Sequence, residues 1–246
     1  MSSSSPHRII VAVAAVALAL GASGCSVRQD VTLAADGSGE AALSIALHPI
    51  MIEYMNDLTI AMTGVEAEYA VFDLEQLAAS FAERDGVELT SLSRPARGAL
   101  DLTVAFADVN EVFAREAGSG VLTLERDGGA YLLTVRLDRE AVRRFLEFAP
   151  EESMTTAQYL LPPEDGSVSH VEYRDELAWA LEEYADRDAV ERVLDEAMIE
   201  VRITPEGRIL DQRGGRIGGE SVVFTIPVLE VLTLGRERVY SVRFAP

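Results

Sequence analysis

Residues 31–47 read VTLAADGSGEAALSIAL, and the fold class follows from the pattern in this stretch. Two β-favouring runs flank Asp36-Gly37-Ser38-Gly39, and an Asp-Gly pair between such runs predicts a β-hairpin. Pro49 suits the first turn of a helix, which we expect to run to about Thr63, with Gly64 ending it. The stretch therefore predicts two antiparallel strands followed by a helix.

The same order of hairpin and helix recurs along the chain. It is clear at residues 121–148, where Asp138 is placed to cap the helix. It is looser in the copy that starts at Val87, whose helix is expected to begin at Asp108. Residues 199–234 repeat it, with Pro205-Glu206-Gly207 as the turn, before a last strand. The pattern predicts an α+β fold: an antiparallel sheet built from repeated hairpin-then-helix units, with helices on one face. Repeats of this length indicate duplicated modules.

Two predicted helices have no hairpin before them. One covers residues 73–85 and ends at Gly86; the other covers residues 175–198 and breaks near residues 186–188. Asp188 and Glu191 have the spacing of a capping box in the second helix. The predicted organisation is a cleaved signal peptide (1–24), first α+β modules (25–149), a linker or mobile loop (150–174), and a helical segment with a C-terminal β module packed on the first (175–246).

The first 25 residues have the parts of a secretory signal. A polar start ends in His7-Arg8, an apolar run covers residues 9–20, and small residues lead to Cys25. The apolar run is shorter than the roughly 20 residues that span a bilayer. The segment Leu20-Gly21-Ala22-Ser23-Gly24-Cys25 resembles the lipobox of bacterial lipoproteins, with Ala22 standing where leucine is usual. The resemblance implies cleavage before Cys25 and attachment of acyl chains to it.

Composition limits the partners of the chain. It holds 41 acidic and 21 basic residues, a net charge of −20, and every basic residue is arginine. An acidic surface repels phosphate backbones, so we expect no nucleic-acid partner. It also repels anionic headgroups, so we expect the protein body to stand off the bilayer. Cys25 is the only cysteine, so the mature fold depends on a hydrophobic core without disulfides.

The sequence offers little catalytic chemistry, and we predict no catalytic residue, no metal site and no cofactor. His48 and His170 lie far apart and without a second ligand at metal-binding spacing; we expect His48 to cap a helix and His170 to lie in a β-like run at residues 168–173. The glycine-rich residues 214–219 lack the phosphate-loop lysine, so a tight hairpin is favoured. The carboxylate pairs Glu151-Glu152, Glu182-Glu183 and Asp186 with Asp188 leave a carboxylate-dependent hydrolase as an alternative.

A methionine-rich face is the most distinctive pattern in the mature chain. Met51, Met55, Leu58 and Met62 lie on one face at helical spacing, with Ile52 beside them. Flexible thioethers adapt to varied apolar shapes, so this face could line a groove for an acyl chain. Ordinary core packing is the competing interpretation.

Two blocks are similar to bacterial lipoproteins of the LppM type. One is the lipobox followed by residues 31–39; the other is residues 201–208, then Gly214-Gly215, then residues 221–227. The resemblance implies an exported α+β domain that handles lipid or glycolipid, with no catalytic residues to carry over. Members often end in a transmembrane helix, whereas this chain ends at Phe244-Ala245-Pro246.

We therefore expect a non-catalytic, lipid-anchored protein of the cell membrane or outer membrane, facing the periplasm or the exterior. The expected partners are the membrane, through acyl chains on Cys25, and an apolar or lipid ligand. An assembly factor that binds another envelope protein is the alternative from a different class.

Overall fold

The computed structural model describes residues 26–64, 71–82, 84–114, 121–142, 161–163 and 166–246. The fold is mixed α+β with two sheets, one of seven strands and one of four. The predicted signal peptide, Cys25 and most of the predicted linker lie outside the described residues. None of the helices within those residues is both long and apolar enough to cross a membrane.

The first half of the described chain consists of hairpins and short helices. Its elements are β1 (Ser26–Leu33), β2 (Gly39–Ala46), α1 (Pro49–Thr63), α2 (Leu74–Ala82), β3 (Val87–Ser93), β4 (Ala99–Phe106), α3 (Val109–Ala114), β5 (Leu122–Asp127) and β6 (Ala130–Leu137). The second half contains α4 (His170–Leu181), α5 (Arg187–Glu196), β7 (Met198–Pro205), β8 (Arg208–Arg213), β9 (Arg216–Gly218), β10 (Ser221–Pro227), α6 (Val228–Leu232) and β11 (Arg238–Ala245).

The larger sheet has the strand order β3-β4-β2-β1-β7-β10-β9. β1 and β7 pair in parallel, so the prediction of a purely antiparallel sheet was wrong. The long connection between them, which includes α4 and α5, provides the crossover that a parallel pair needs. On the outer face of the sheet the register places opposite charges side by side: the Arg28 and Glu200 side chains approach to 3.5 Å, and those of Arg202 and Asp30 to 3.0 Å.

The smaller sheet has the order β5-β6-β11-β8. The predicted hairpin through Pro205-Glu206-Gly207 was wrong, because β7 pairs with β1 and β10 while β8 pairs with β11. Gly207 has a φ of +139° and lies against the backbone of Ala245, so the chain leaves one sheet here and enters the other. The C-terminal strands therefore complete both sheets of the fold.

The hydrophobic core has two clusters. In the larger one, apolar residues of the seven-stranded sheet, including Ile45 and Leu100, pack with residues of α1, α2, α4, α5 and α6. In the smaller one, Leu33 and Ile203 of the same sheet pack with Val242 and Phe244 of the four-stranded sheet. Successive side chains of a strand alternate between the two faces of a sheet, so every second residue lies on the same face. Apolar residues of the seven-stranded sheet contribute to both clusters.

Several helix boundaries were predicted correctly. α1 runs from Pro49 to Thr63, and Gly64 ends it in a left-handed conformation at φ +68°. The Asp73 carboxylate accepts a hydrogen bond from the Gln76 amide at 2.9 Å at the start of α2. Residues 216–223 form the expected tight hairpin, β9 to β10, in which Gly218 pairs with Ser221.

The start of α4 was predicted incorrectly. Residues 168–173 were expected to be β-like, but the helix begins at His170 because Ser169 and Glu172 form a complete capping box. The linker boundary expected at residue 174 therefore falls inside this helix. The capping box expected at Asp188 and Glu191 was also wrong, since the Asp186 side chain caps α5 by accepting from the Ala189 amide at 3.0 Å.

Candidate functional site

The strand that follows the predicted lipidation site lies in the middle of the larger sheet. β1 begins at Ser26, one residue after Cys25, and pairs with β2 on one side and β7 on the other. Cys25 itself lies outside the described residues. Consecutive Cα atoms are about 3.8 Å apart, so any group attached to Cys25 is held next to this strand.

β1 begins at one end of the strands of the larger sheet, and we call this end of the sheet the Ser26 end. Ser26 lies opposite Ala46 and Met198, and Ala46 lies opposite Ala99. α1 starts at this end, where the His48 Nδ1 accepts a hydrogen bond from the Ile50 amide at 3.4 Å. The expected capping role of His48 is therefore confirmed.

The turn between β3 and β4 also lies at the Ser26 end. It comprises residues 94–98 and carries the exposed side chains of Arg94 and Arg97. The Leu47 amide donates to the Gly98 carbonyl at 2.9 Å. Gly98 has a φ of +71° and lies against the side chain of Ile52, so this turn is packed onto the start of α1. Sequence reasoning did not identify the turn as functional.

The methionine-rich face of α1 passes from the core to the surface. The Met51 and Met55 side chains have no exposed area, and Ile52 is 7% exposed. Leu58 is half-buried, and Met62 is 42% exposed. The first half of the face is therefore part of the larger core cluster, while the second half reaches solvent. The apolar groove expected from these residues stays a prediction.

A cluster of tyrosines that the sequence analysis missed adjoins α1. The rings of Tyr54 and Tyr184 meet edge to face with centroids 5.9 Å apart, and the Tyr184 hydroxyl donates to the Asp57 carboxylate at 3.1 Å. Burial, together with this hydrogen bond, raises the pKa of Tyr184 to about 12. Burial also raises the pKa of Tyr173 on α4. These phenols stay protonated at neutral pH and connect α1 to the α4–α5 region.

Arginine and carboxylate side chains join α4 to α5. The Arg174 guanidinium donates two hydrogen bonds of 2.8 Å to Asp195 and one of 3.1 Å to Glu191. Arg187 donates to Glu191 at 2.9 Å and to Glu182 at 2.7 Å. The network fixes the two helices side by side and leaves the outer surface of α4 exposed.

That outer surface of α4 displays two large apolar side chains. Trp179, the only tryptophan of the chain, is 73% exposed, and Val171 is 65% exposed. They are eight positions apart, which is about two turns along the helix and roughly 80° around it, and both side chains face solvent. Exposed aromatic residues are enriched in protein interfaces, so this surface is a candidate for binding a partner. The sequence analysis did not single it out.

Several of the carboxylates that the structure describes form ion pairs or cap helices. Glu182 is paired with Arg187, and Asp186 caps α5. The pKa of Asp195 is lowered by its hydrogen bonds from Arg174, and that of Glu172 by its hydrogen bonds from Ser169. A carboxyl group held ionised in this way is a poor proton donor near neutral pH. Glu151-Glu152 lie outside the described residues.

The two histidines of the predicted mature chain are not brought together. His48 caps α1, whereas the His170 Nδ1 lies 3.4 Å from the hydroxyl of Thr233, which ends α6. Among the residues with assigned positions, no group of three His, Cys, Asp or Glu side chains is arranged to hold a metal ion.

Comparison with solved structures found a likeness to a lipoprotein domain. The NMR structure of the folded domain of Mycobacterium tuberculosis LppM aligns with 91% of this chain and 90% of its own, at 15% sequence identity and a TM-score of 0.41. No protein-family model matches the chain, and the comparison with curated proteins gave no match.

Proposed function

We propose that this chain is a lipid-anchored protein of the cell envelope that binds an apolar or lipid ligand and performs no catalysis. One observation supports the proposal above the others. The lipobox cysteine, Cys25, directly precedes Ser26, the first residue of a central strand. The predicted signal and attachment residue thus lead directly into the folded domain. Firm anchoring needs more than one acyl chain, which a lipobox cysteine receives.

The ligand surface proposed here is the exposed end of α1. Leu58 and Met62 continue the face that Met51 and Met55 occupy in the core. An acyl chain placed against Leu58 and Met62 would meet an apolar surface that continues into the core. Burial of apolar area stabilises such a contact by roughly 25 cal/mol per Å².

The anchor is tested by mass spectrometry of the N-terminal peptide of the native protein. We expect a peptide that begins at residue 25 and carries acyl chains, and we expect Cys25→Ser to leave the signal uncleaved. A native chain that starts at Met1 with a free thiol at Cys25 would refute the anchor.

The ligand surface is tested by lipid extraction from envelope membranes. We expect the purified protein to retain lipid, and Met62→Glu to reduce the retained amount at least fivefold. Ile217→Glu is the matched control, because Ile217 is an exposed apolar residue (55%) on β9, away from α1. Equal loss in both variants, or no lipid in the wild type, would contradict the proposal.

The second candidate is an assembly factor that binds another envelope protein through α4. Trp179 and Val171 favour it, because solvent contacts most of both side chains. We expect a photo-crosslinker at position 179 to capture a defined envelope protein in cells, and one at position 217 to capture none. Crosslinking at neither position would count against this candidate.

A further inference from the structure

The proposed anchor and the charge of the chain conflict with each other. A net charge of −20 repels anionic headgroups, and on this ground the body was expected to stand off the membrane. Standing off requires a spacer between the lipid and the fold. The described structure begins its first strand at Ser26, so residue 25 and the sheet are neighbours. An anchor on Cys25 therefore holds the Ser26 end against the membrane.

The β3–β4 turn at the Ser26 end differs in charge from the chain as a whole. The β3–β4 turn presents Arg94 and Arg97, with no acidic residue between Ser93 and Ala99. β4 lies two strands from β1, and strands are about 4.8 Å apart, so the turn lies roughly 10 Å to one side of the attachment point. That distance is close to the Debye length of about 8 Å at physiological salt.

Two acidic residues at the Ser26 end, Asp195 and Glu196, lie on the opposite side of β1 from the turn. Glu196 is exposed at the end of α5, just before β7, and Asp195 beside it is paired with Arg174. β7 and β4 are separated by β1 and β2, which places these acids roughly 14 Å from the β3–β4 turn. Two described carboxylates lie closer to the turn: Asp101, half-buried on β4, and Glu53, exposed on α1 next to Ile52.

Building on the proposed anchor, we infer that the β3–β4 turn is a membrane-contact site for anionic lipid headgroups. Arg94 and Arg97 lie at the headgroups of the bilayer that holds the acyl chains, and the domain tilts so that the end of α5 is farther from the surface. The packing of Gly98 against Ile52 keeps the turn in a fixed position relative to β1. Guanidinium groups suit this contact because they bind phosphate through two parallel hydrogen bonds.

The test uses the full lipidated protein in vesicles with nitroxide-labelled headgroups. A fluorophore is attached to a second cysteine, introduced as Ala96→Cys in the turn or as Thr32→Cys on β1. Thr32 is exposed and six residues along the strand from Ser26, about 20 Å away. In vesicles that contain anionic lipid we expect at least threefold stronger quenching at position 96 than at position 32.

Charge variants identify what holds the turn to the surface. We expect the double variant Arg94→Gln, Arg97→Gln to lower the quenching at position 96 at least twofold. Arg216→Gln, which removes an exposed arginine on β9, should leave it unchanged. Replacing the anionic lipid with neutral lipid should reproduce the effect of the double variant.

The outcomes separate this inference from the proposed function. Equal quenching at positions 96 and 32 overturns the inference when mass spectrometry of the same sample shows an acylated Cys25. Strong quenching at position 96 that is insensitive to Arg94, Arg97 and lipid charge also overturns it, because the anchor alone would then explain the contact. Absence of acyl chains on Cys25 overturns the proposed anchor and this inference with it.

Discussion

Replacing Met55 with alanine distinguishes a packed core from an open groove along α1. The Met55 side chain has no exposed area and belongs to the larger core cluster. The substitution removes three heavy atoms. At about 0.8 kcal/mol for each buried methylene-sized group, the lost transfer free energy is about 2.4 kcal/mol, before any cavity is counted. Measured Met→Ala losses in cores run from about 2 to 5 kcal/mol, so we expect about 3 kcal/mol.

Urea unfolding, followed by circular dichroism, measures this loss. A lower midpoint with an unchanged slope reports a change in stability rather than in the unfolded state. For a chain of this size, 3 kcal/mol corresponds to a fall in Tm of roughly 6–12 °C. Met55→Leu conserves most of the volume and should cost less than about 1.5 kcal/mol. Met62→Ala, at a position 42% exposed, should cost less than 1 kcal/mol.

The opposite ranking would refute the reasoning. If Met55→Ala costs less than about 1 kcal/mol while Met62→Ala costs more, the first half of the face is not a packed core. If Met55→Ala leaves stability intact but abolishes lipid retention, Met55 lines an open groove and the burial described here does not hold in solution.

Three further predictions concern caps, pH and a backbone crossing. Ser169→Ala removes the capping box of α4 and should lower the unfolding free energy by about 1 kcal/mol in urea. Arg174 holds the pKa of Asp195 below its ordinary 3.8, so this pair stabilises the fold above that pH, and the contribution is lost as pH falls through the folded pKa. Arg174→Met should remove this part of the acid sensitivity of the urea midpoint. The effect should be small, because the Asp195 side chain is 55% exposed. Gly207→Ala should cost more than 1 kcal/mol in the same assay, since φ is +139° and the new methyl group would collide with the carbonyl oxygen of Ala245.

Local structure could be predicted from the sequence where short-range chemistry determines it. The α1 helix was recognised from Pro49 and Gly64, and both residues act as expected. The β9–β10 hairpin was recognised from its glycines. The start of α4 was missed because residues 168–173 contain β-favouring side chains, whereas Ser169 and Glu172 carry the capping box that determines the outcome. The capping pair was present in the sequence and outweighs the propensity of its neighbours.

Long-range pairing could not be predicted in the same way. The parallel neighbours β1 and β7 are separated by most of the chain, so no hairpin turn joins them that could be recognised from turn residues. A signal existed in the charges, since Arg28 and Asp30 alternate on β1 where Glu200 and Arg202 alternate on β7. The alternation fits many partners, so it becomes decisive only once the register is known.

The candidate site was predicted in part for a similar reason. Helical spacing placed Met51, Met55, Leu58 and Met62 on one face, which follows from the period of the helix. Which half of that face is buried depends on where α4 and α5 pack, and the spacing of residues within α1 does not predict this. The sequence alone does not distinguish the two arginines of the β3–β4 turn from other exposed arginines. They became candidates for headgroup binding once the fold placed them at the Ser26 end.

The position of β11 has a consequence for the order in which the protein can fold. Residues 238–245 form a middle strand that pairs with both β6 and β8, and the ribosome delivers them after every other strand. Until they arrive, two strand edges lack their partner, and unpaired edges promote aggregation. We expect a chain truncated before residue 238 to be aggregated or degraded, and newly made chains to depend on a holding chaperone until residues 238–245 can pair with β6 and β8.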